Sequence, residues 1–228
     1  MPGTARRHQL EGCLTYHVFN RSHCRVPIFE DEEDFERFKG LIVRFRRRYR
    51  YKVYHWVIMS NHYHFLIELE EPYELSRFIS SLQRAYTAYY HMKYQTSGYL
   101  WQGRFKSQPV EKESYLLTCG RYIERNPVVA KMIEEAMEYQ HSSARHYCLG
   151  TEDGLTEINP FYESLGRNAI EKQTNYRDFL LNFDEEEEGS FEQLERPMGY
   201  EKFLERLMKE RGHYFPRRRG RSRRIICS

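Results

Sequence analysis

The chain has 228 residues, 40% of them hydrophobic and 15% aromatic, which is enough to bury a full core in one main domain with an appendage. Its formal net charge of +3 favours no particular class of partner, and no stretch approaches the roughly 20 apolar residues of a membrane helix. The five cysteines are odd in number and form no Cys-x-x-Cys pair, which argues against a disulfide framework or a zinc knuckle and predicts a cytoplasmic protein.

The first third of the chain predicts a strand, a helix and a hairpin. Residues 14–20 predict the first strand. Residues 31–49 predict a helix, because acidic residues crowd its start, arginines crowd its end, and its apolar residues recur at helical spacing. Residues 51–59 predict a second strand, and the turn at Ser60-Asn61 returns the chain as a third strand that ends near Leu69.

The next segment completes a recognisable order of elements. Residues 74–94 predict a long helix, residues 108–110 a short strand, and residues 114–125 a third helix that is stopped by Pro127. The order βαββαβ followed by a helix predicts a ferredoxin-like α+β sandwich, with one antiparallel sheet and two helices on one face. The third helix is then free to lie across the other face.

Beyond residue 139 the hydrophobic pattern weakens. Residues 141–159 predict loop and turn, residues 168–183 a short helix, and residues 200–211 a small amphipathic helix. An acidic linker at residues 184–188 and an arginine-rich tail at residues 217–224 flank that last helix. We therefore expect a domain over residues 1–150 and an extension over residues 151–228.

Two histidines mark the predicted third strand. Residues two apart in a strand project from the same face, so His62 and His64 stand side by side, with Tyr63 and Phe65 on the other face. Two imidazoles on a rigid element provide half of a metal site. The alternative is a pair of histidines on a half-polar sheet face with no ligand.

The predicted third helix offers a second half for the site. Tyr122 and Asn126 are four residues apart and share one helix face. A carboxamide oxygen as third ligand and a tyrosine hydroxyl as attacking group would complete a metal-assisted nucleophile. The alternative is a packed tyrosine and an asparagine at a helix end.

Three motifs together resemble those of the single-tyrosine HUH transposases. They are His62-Tyr63-His64, residues 98–106 (GYLWQGRFK) and residues 122–128 (YIERNPV), which occur in the order and spacing of that family. The chain is most similar to the REP-associated tyrosine transposases, relatives of insertion-sequence transposases that move single-stranded DNA. The resemblance covers residues 10–150, and the tail beyond residue 199 resembles the C-terminal extension of some REP-associated members.

The resemblance implies a role for each motif residue. His62 and His64 would be metal ligands, Asn126 the third ligand, and Tyr122 the nucleophile that forms a 5′-phosphotyrosine with single-stranded DNA at hairpin sites. The middle residue of the histidine pair is usually bulky and apolar in the family, and here it is Tyr63. The family works with Mg²⁺ or Mn²⁺, which we expect here, although the ligand chemistry alone leaves Zn²⁺ open.

The expected partner is single-stranded or hairpin DNA, bound by a monomer or a homodimer. Aromatic faces for base stacking and cations for phosphate predict DNA contacts near the site at Trp101, Gln102, Arg104 and Lys106. The tail predicts further nonspecific contacts at Arg217, Arg218, Arg219 and Arg221. Core packing is the alternative for Trp101. We interpret His17, His23 and His55 as structural.

Two other functions are compatible with the same motifs. One is a hairpin-binding protein that no longer cuts DNA, although His62, His64, Tyr122 and Asn126 are all present. The other is a zinc hydrolase with a water nucleophile, but no carboxylate base is evident beside the histidines. A covalent tyrosine–DNA product would separate the first hypothesis from both.

Overall fold

A four-stranded antiparallel sheet forms the centre of the computed structural model, which describes residues 15–71, 74–111, 115–183, 191 and 198–211, without side chains for 208–211. The strands are β1 (Thr15–Arg21), β2 (Tyr51–Met59), β3 (His62–Leu69) and β4 (Lys106–Val110), in the order β2-β3-β1-β4. This is the strand order of a ferredoxin-like sandwich, so the predicted fold class is confirmed. Strands β2 and β3 form the predicted hairpin, with its turn at Ser60 and Asn61.

Helices α1 (Glu32–Tyr49) and α2 (Glu74–Tyr94) pack on one face of the sheet, as predicted. The side chain of Asp31 caps α1 by accepting a hydrogen bond from the backbone N–H of Asp34. In turn, the side chain of Asp34 accepts a hydrogen bond from the backbone N–H of Asp31. Their apolar faces join the inward side chains of the strands in one large cluster, which includes Phe38 and Phe78. This face of the sheet carries the main core.

Helix α3 (Leu116–Val129) crosses the opposite face and packs against β2 and β3. The prediction that Pro127 stops this helix is wrong, because Pro127 lies inside it. A proline has no N–H for the carbonyl four residues earlier, which belongs to Ile123. Asn126 compensates, since its side-chain Nδ2 donates to the carbonyls of Ile123 (3.2 Å) and Tyr122 (2.9 Å).

The segment predicted as loop and turn contains a short helix, α4 (Ala144–Leu149), so that prediction is corrected. Six residues are too few to show a helical period, and α4 is held by the burial of Ala144, Tyr147 and Cys148 and by a left-handed Gly150 (φ 69°). Helices α5 (Ala169–Leu181), capped by Asn168, and α6 (Glu201–Arg211) confirm the two helices predicted further on.

Residues on both sides of position 150 contact one another. Leu155 belongs to the core beneath α1 and α2, and Trp56 Nε1 donates to Thr156 Oγ1 at 2.9 Å. The predicted acidic linker and arginine-rich tail lie outside the described residues. Within the described ranges, no helix is long and apolar enough to cross a membrane.

Candidate active site

The candidate site lies where β1, β3 and α3 meet, on the face of the sheet that carries α3. Strand β1 pairs antiparallel with β3, so that Arg21 lies opposite His62 and Phe19 opposite His64. The rings of His62 and His64 are 5.4 Å apart between centroids. The predicted histidine pair therefore faces the third helix rather than the main core.

His62 is held by its neighbour and faces α3. Its Nδ1 lies 2.6 Å from Oδ1 of Asn61, which can only accept, so Nδ1 carries a proton and donates. Burial, and then the charge of Arg21, lower the pKa of His62 to about 4, while a hydrogen bond with Asn126 opposes this shift. Because this hydrogen bond favours the protonated form of His62, Asn126 must act as the acceptor, and its Oδ1 faces the imidazole.

His64 is nearly buried, with 3% of its surface exposed, and pairs with another histidine. Its Nδ1 lies 2.8 Å from Nε2 of His17, a residue that the sequence analysis interpreted as structural. Burial lowers the pKa of His64 well below its usual value, and Arg21, together with the protonated forms of His17 and His62, would lower it further. Burial also lowers the pKa of His17 to about 4. All three rings are therefore neutral at pH 7.

Tyr122 projects from α3 into this group of rings. Its ring lies edge-on to His64 (centroids 5.9 Å apart) and to His17 (5.6 Å), and it stacks on Phe191 at 5.5 Å. Together with the contact of Asn126 to His62, this brings all four residues of the predicted catalytic and metal site to one place. The aromatic contacts fix the plane of the tyrosine ring.

Arg21 adds a cation that the sequence analysis missed. Its guanidinium lies 4.9 Å from the centroid of the Phe19 ring, on the face of β1 that adjoins the histidines. Burial and the neighbouring Arg25 lower the pKa of Arg21, and an ionised Tyr122 would oppose this by raising it. By the same interaction, the positive charge of Arg21 favours the ionised form of Tyr122.

A buried polar network fixes α3 to the rest of the chain. The carboxylate of Glu124 accepts hydrogen bonds from His55 Nδ1 (2.8 Å), Ser143 Oγ (2.6 Å) and Tyr176 Oη (2.7 Å). His55 Nε2 accepts in turn from Nδ2 of Asn159 at 2.8 Å. His55 is thus structural, as interpreted from the sequence, and α3 is tied to β2, α4 and α5.

Two arginines of α3 also hold the end of α5. Arg121 Nη1 donates to the carbonyl of Asn182 at 2.6 Å, and Arg125 Nη1 donates to the carbonyl of Leu180 at 3.1 Å. Cations at the last carbonyls of a helix offset its dipole and satisfy acceptors that have no partner within the helix. Helix α5 therefore supports the helix that carries Tyr122 and Asn126.

The donor set fits a divalent cation. His62, His64 and Asn126 each use one polar atom for a protein partner, namely Asn61, His17 and the α3 carbonyls. Nε2 of His64 is then left for a ligand, and Nε2 of His62 faces the amide of Asn126, so that all three groups adjoin one place. Hydrogen-bonded partners of this kind orient metal ligands. Among the described residues, no group of three or more His, Cys, Asp or Glu could hold a metal ion.

The residues predicted to contact DNA lie around the loop before β4. The backbone N–H of Gln102 donates to the carbonyl of Arg21 at 3.0 Å, which brings this loop beside the site. The ring of Trp101 packs against Phe38 and Tyr63 on the other face, and its Nε1 donates to Thr87 Oγ1 at 3.0 Å. The side chains of Gln102, Arg104 and Lys106 are exposed.

An open groove of about 880 Å³ runs between this loop and α2. Arg84, Trp101 and Arg104 line it together with Tyr99, which is 91% exposed. A second groove of about 800 Å³ continues past Arg84 towards the C-terminal end of α1 and is lined by Arg48 and Arg77. Arginines thus line both grooves, and one of them, Arg77, pairs with Glu74 at 2.9 Å.

Comparisons with known proteins agree with this architecture. A family described as IS200-like transposases matches residues 12–126. The fold is similar to that of a solved REP-associated tyrosine transposase bound to a REP hairpin, with a TM-score of 0.52, 17% identity, and coverage of 70% of this chain and 90% of that one. At that identity the likeness concerns the fold. No curated protein matches the chain.

Proposed function

The chain belongs to the family of IS200-like transposases, the single-tyrosine HUH transposases, and we propose that it cleaves and rejoins single-stranded DNA through a covalent tyrosine–DNA intermediate. The observation that carries this proposal is the meeting of Tyr122 and Asn126 with His62 and His64 at one corner of the sheet. A nucleophile, a set of metal ligands and a cation then surround the place where a phosphodiester would react.

The proposed reaction is a displacement at phosphorus. Tyr122 Oη attacks, an Oη–P bond forms, and the bond from phosphorus to the 3′-oxygen breaks. The phenolic proton passes to solvent, and the leaving oxygen takes up a proton to become a free 3′-OH. A 3′-OH from another strand end reverses the step, so joining needs no ATP.

The surrounding residues help a weak nucleophile to react. A free tyrosine titrates near pH 10, so Tyr122 needs nearby positive charge to react at neutral pH. Arg21 supplies such charge within the site. We propose that His62, His64 and Asn126 hold Mg²⁺ or Mn²⁺, which would polarise the scissile phosphate as a Lewis acid. Two imidazoles favour Mn²⁺ over Mg²⁺, which prefers oxygen ligands.

We propose hairpin-forming repeats as the substrate, because the solved relative is described as bound to a REP hairpin. The groove beside α2 offers the exposed ring of Tyr99 for stacking and the cations of Arg84 and Arg104 for phosphates. Trp101, Gln102 and Lys106 belong to the same loop and strand start. Phosphate contacts by Arg217, Arg218, Arg219 and Arg221 stay a prediction outside the described residues.

The covalent product provides the decisive test. The chain and a Tyr122→Phe variant are incubated with end-labelled hairpin DNA from repeats that flank the gene, with Mn²⁺ or with chelator. We expect a labelled adduct on denaturing gels that requires both metal and Tyr122. Tyr115→Phe is the matched control, because Tyr115 is the N-cap residue of the same helix and its ring contacts Tyr200. Hairpin binding without any adduct would refute the enzyme and favour a silent hairpin-binding protein.

We further propose that each chain uses its own Tyr122. Within one chain, Glu124, Arg121 and Arg125 fix α3 against other elements, and Asn126 contacts His62. Mixing Tyr122→Phe and His64→Ala proteins tests this, since chains that act alone leave the mixture inactive. Recovery of the adduct would instead mean that partners exchange this helix.

A further inference from the structure

We propose that His17 is a positioning residue for the metal site: it holds the proton of His64 on Nδ1 and thereby leaves Nε2 free to bind the cation. This inference deepens the proposed function and rests on His64 being a metal ligand. It assigns a role to a residue of β1, a strand that carries none of the predicted ligands.

The fold brings His17 to this place. Strand β1 lies between β3 and β4, so its residues reach side chains on both neighbours. His17 pairs directly with Gln108 on β4 and with Leu66 on β3, which makes His64 its diagonal neighbour. The side chain of His17 is fully buried. A series of two hydrogen bonds, from Gln108 to His17 to His64, thus crosses three strands towards the site.

We assign the tautomers of the two histidines from the order of their hydrogen bonds. His17 Nδ1 lies 3.4 Å from Oε1 of Gln108, and with the amide in this orientation the oxygen accepts, which assigns the proton of the neutral ring to Nδ1. His17 Nε2 is then an acceptor, and it lies 2.8 Å from His64 Nδ1, which must donate. The two ring planes are only 23° apart, which suits a bond in the plane of both rings. The lone pair of His64 is therefore on Nε2.

The two candidate ligands are oriented by different partners. His62 donates to its chain neighbour Asn61, whereas His64 depends on a residue from another strand. His17 also contacts the ring of Tyr122 edge-on, with centroids 5.6 Å apart. The same side chain therefore touches both a candidate ligand and the candidate nucleophile, and a change there can alter metal binding and the chemical step together.

The metal affinities of two variants distinguish a positioning role of His17 from a packing role. His17→Phe keeps a ring but removes the acceptor, whereas His17→Gln keeps an amide oxygen near the position of Nε2. Mn²⁺ binding, measured by electron paramagnetic resonance without DNA, should weaken about 10–100-fold in His17→Phe and recover to near the original value in His17→Gln. His23→Phe, at an exposed histidine, is the matched control and should bind Mn²⁺ like the unchanged chain.

A spectroscopic measurement tests the same inference without any variant. Long-range ¹H–¹⁵N NMR of the unchanged, metal-free chain should show the Nδ1–H tautomer for His64. A proton on Nε2 of His64 would overturn the inference, as would unchanged Mn²⁺ affinity in His17→Phe or equal weakening in both variants. Failure of the proposed function appears elsewhere, as a missing Tyr122–DNA adduct, so the two results are distinguishable.

Discussion

Removing one hydroxyl from the network beneath α3 should destabilise the chain and slow the reaction. Tyr176 is fully buried and donates to Glu124 at 2.7 Å, so Tyr176→Phe leaves a buried carboxylate oxygen with one donor fewer. A hydrogen bond to a charged group contributes about 1.5–3 kcal/mol, and loss of one buried partner lies in the same range. For a chain of this size, 1 kcal/mol corresponds to about 2–4 °C, so we expect a fall in Tm of roughly 3–12 °C.

The assay pairs thermal unfolding with the initial rate of adduct formation, measured well below the lowered Tm. If Glu124 positions α3, the rate should also fall, because Tyr122 and Asn126 lie on the same helix. Tyr99→Phe removes the same atom from a ring that is 91% exposed and should leave Tm unchanged. A double-mutant cycle with Glu124→Gln should give a coupling energy above about 0.5 kcal/mol. Additive effects would refute the argument that the two side chains act as one network.

Three further perturbations follow from the same contacts. Gly120→Ala should lower the free energy of unfolding, measured in urea, by about 1–3 kcal/mol, because an added Cβ would lie 2.6 Å from atoms of the buried His55 ring. A variant that is more stable, as the higher helix propensity of alanine alone would make it, would contradict this steric argument. Asn126→Ala should lower Mn²⁺ affinity. In chelator it should also lower the free energy of unfolding by about 1–2 kcal/mol, because the carbonyls of Tyr122 and Ile123 lose the Asn126 side chain as donor. A loss of stability with unchanged Mn²⁺ affinity would contradict the role of Asn126 as a ligand. In chelator, the free energy of unfolding should fall as the pH drops from about 6.5 to about 4. His17, His62 and His141 have pKa values of about 4 in the folded chain but about 6.5 in the unfolded chain, which therefore binds protons first. A flat stability profile between those pH values would contradict buried, neutral histidines.

Local patterns were sufficient to predict most elements of the sandwich. The acidic start and basic end of α1 lie where the helix dipole favours them, and α2 shows the predicted apolar face. The end of α3 was wrong because propensity treats Pro127 as a stop, whereas the side chain of Asn126 replaces the missing donor. Helix α4 was missed because its six residues depend on tertiary burial.

The candidate site was only partly visible in the sequence. Strand parity places His62 and His64 together, and helical spacing places Tyr122 with Asn126. Arg21 and His17 could not be found this way, because β1 is buried on both faces and the alternation of its residues does not reveal which face carries the histidines of β3. Only the register, with Arg21 opposite His62 and His17 diagonal to His64, assigns both residues to the site.

The position of α3 links the candidate site to residues beyond the family match. The family match ends at residue 126, yet the carboxylate of Glu124 is satisfied by Ser143 and Tyr176, both beyond that point. Arg121 and Arg125 face the C-terminal end of α5 from the same helix. Since a misplacement of about 1 Å can cost 100-fold in rate, a helix that carries both the candidate nucleophile and a candidate ligand needs rigid support. Residues 143–182 provide that support in this chain, and they therefore act with the HUH motifs as one structural unit.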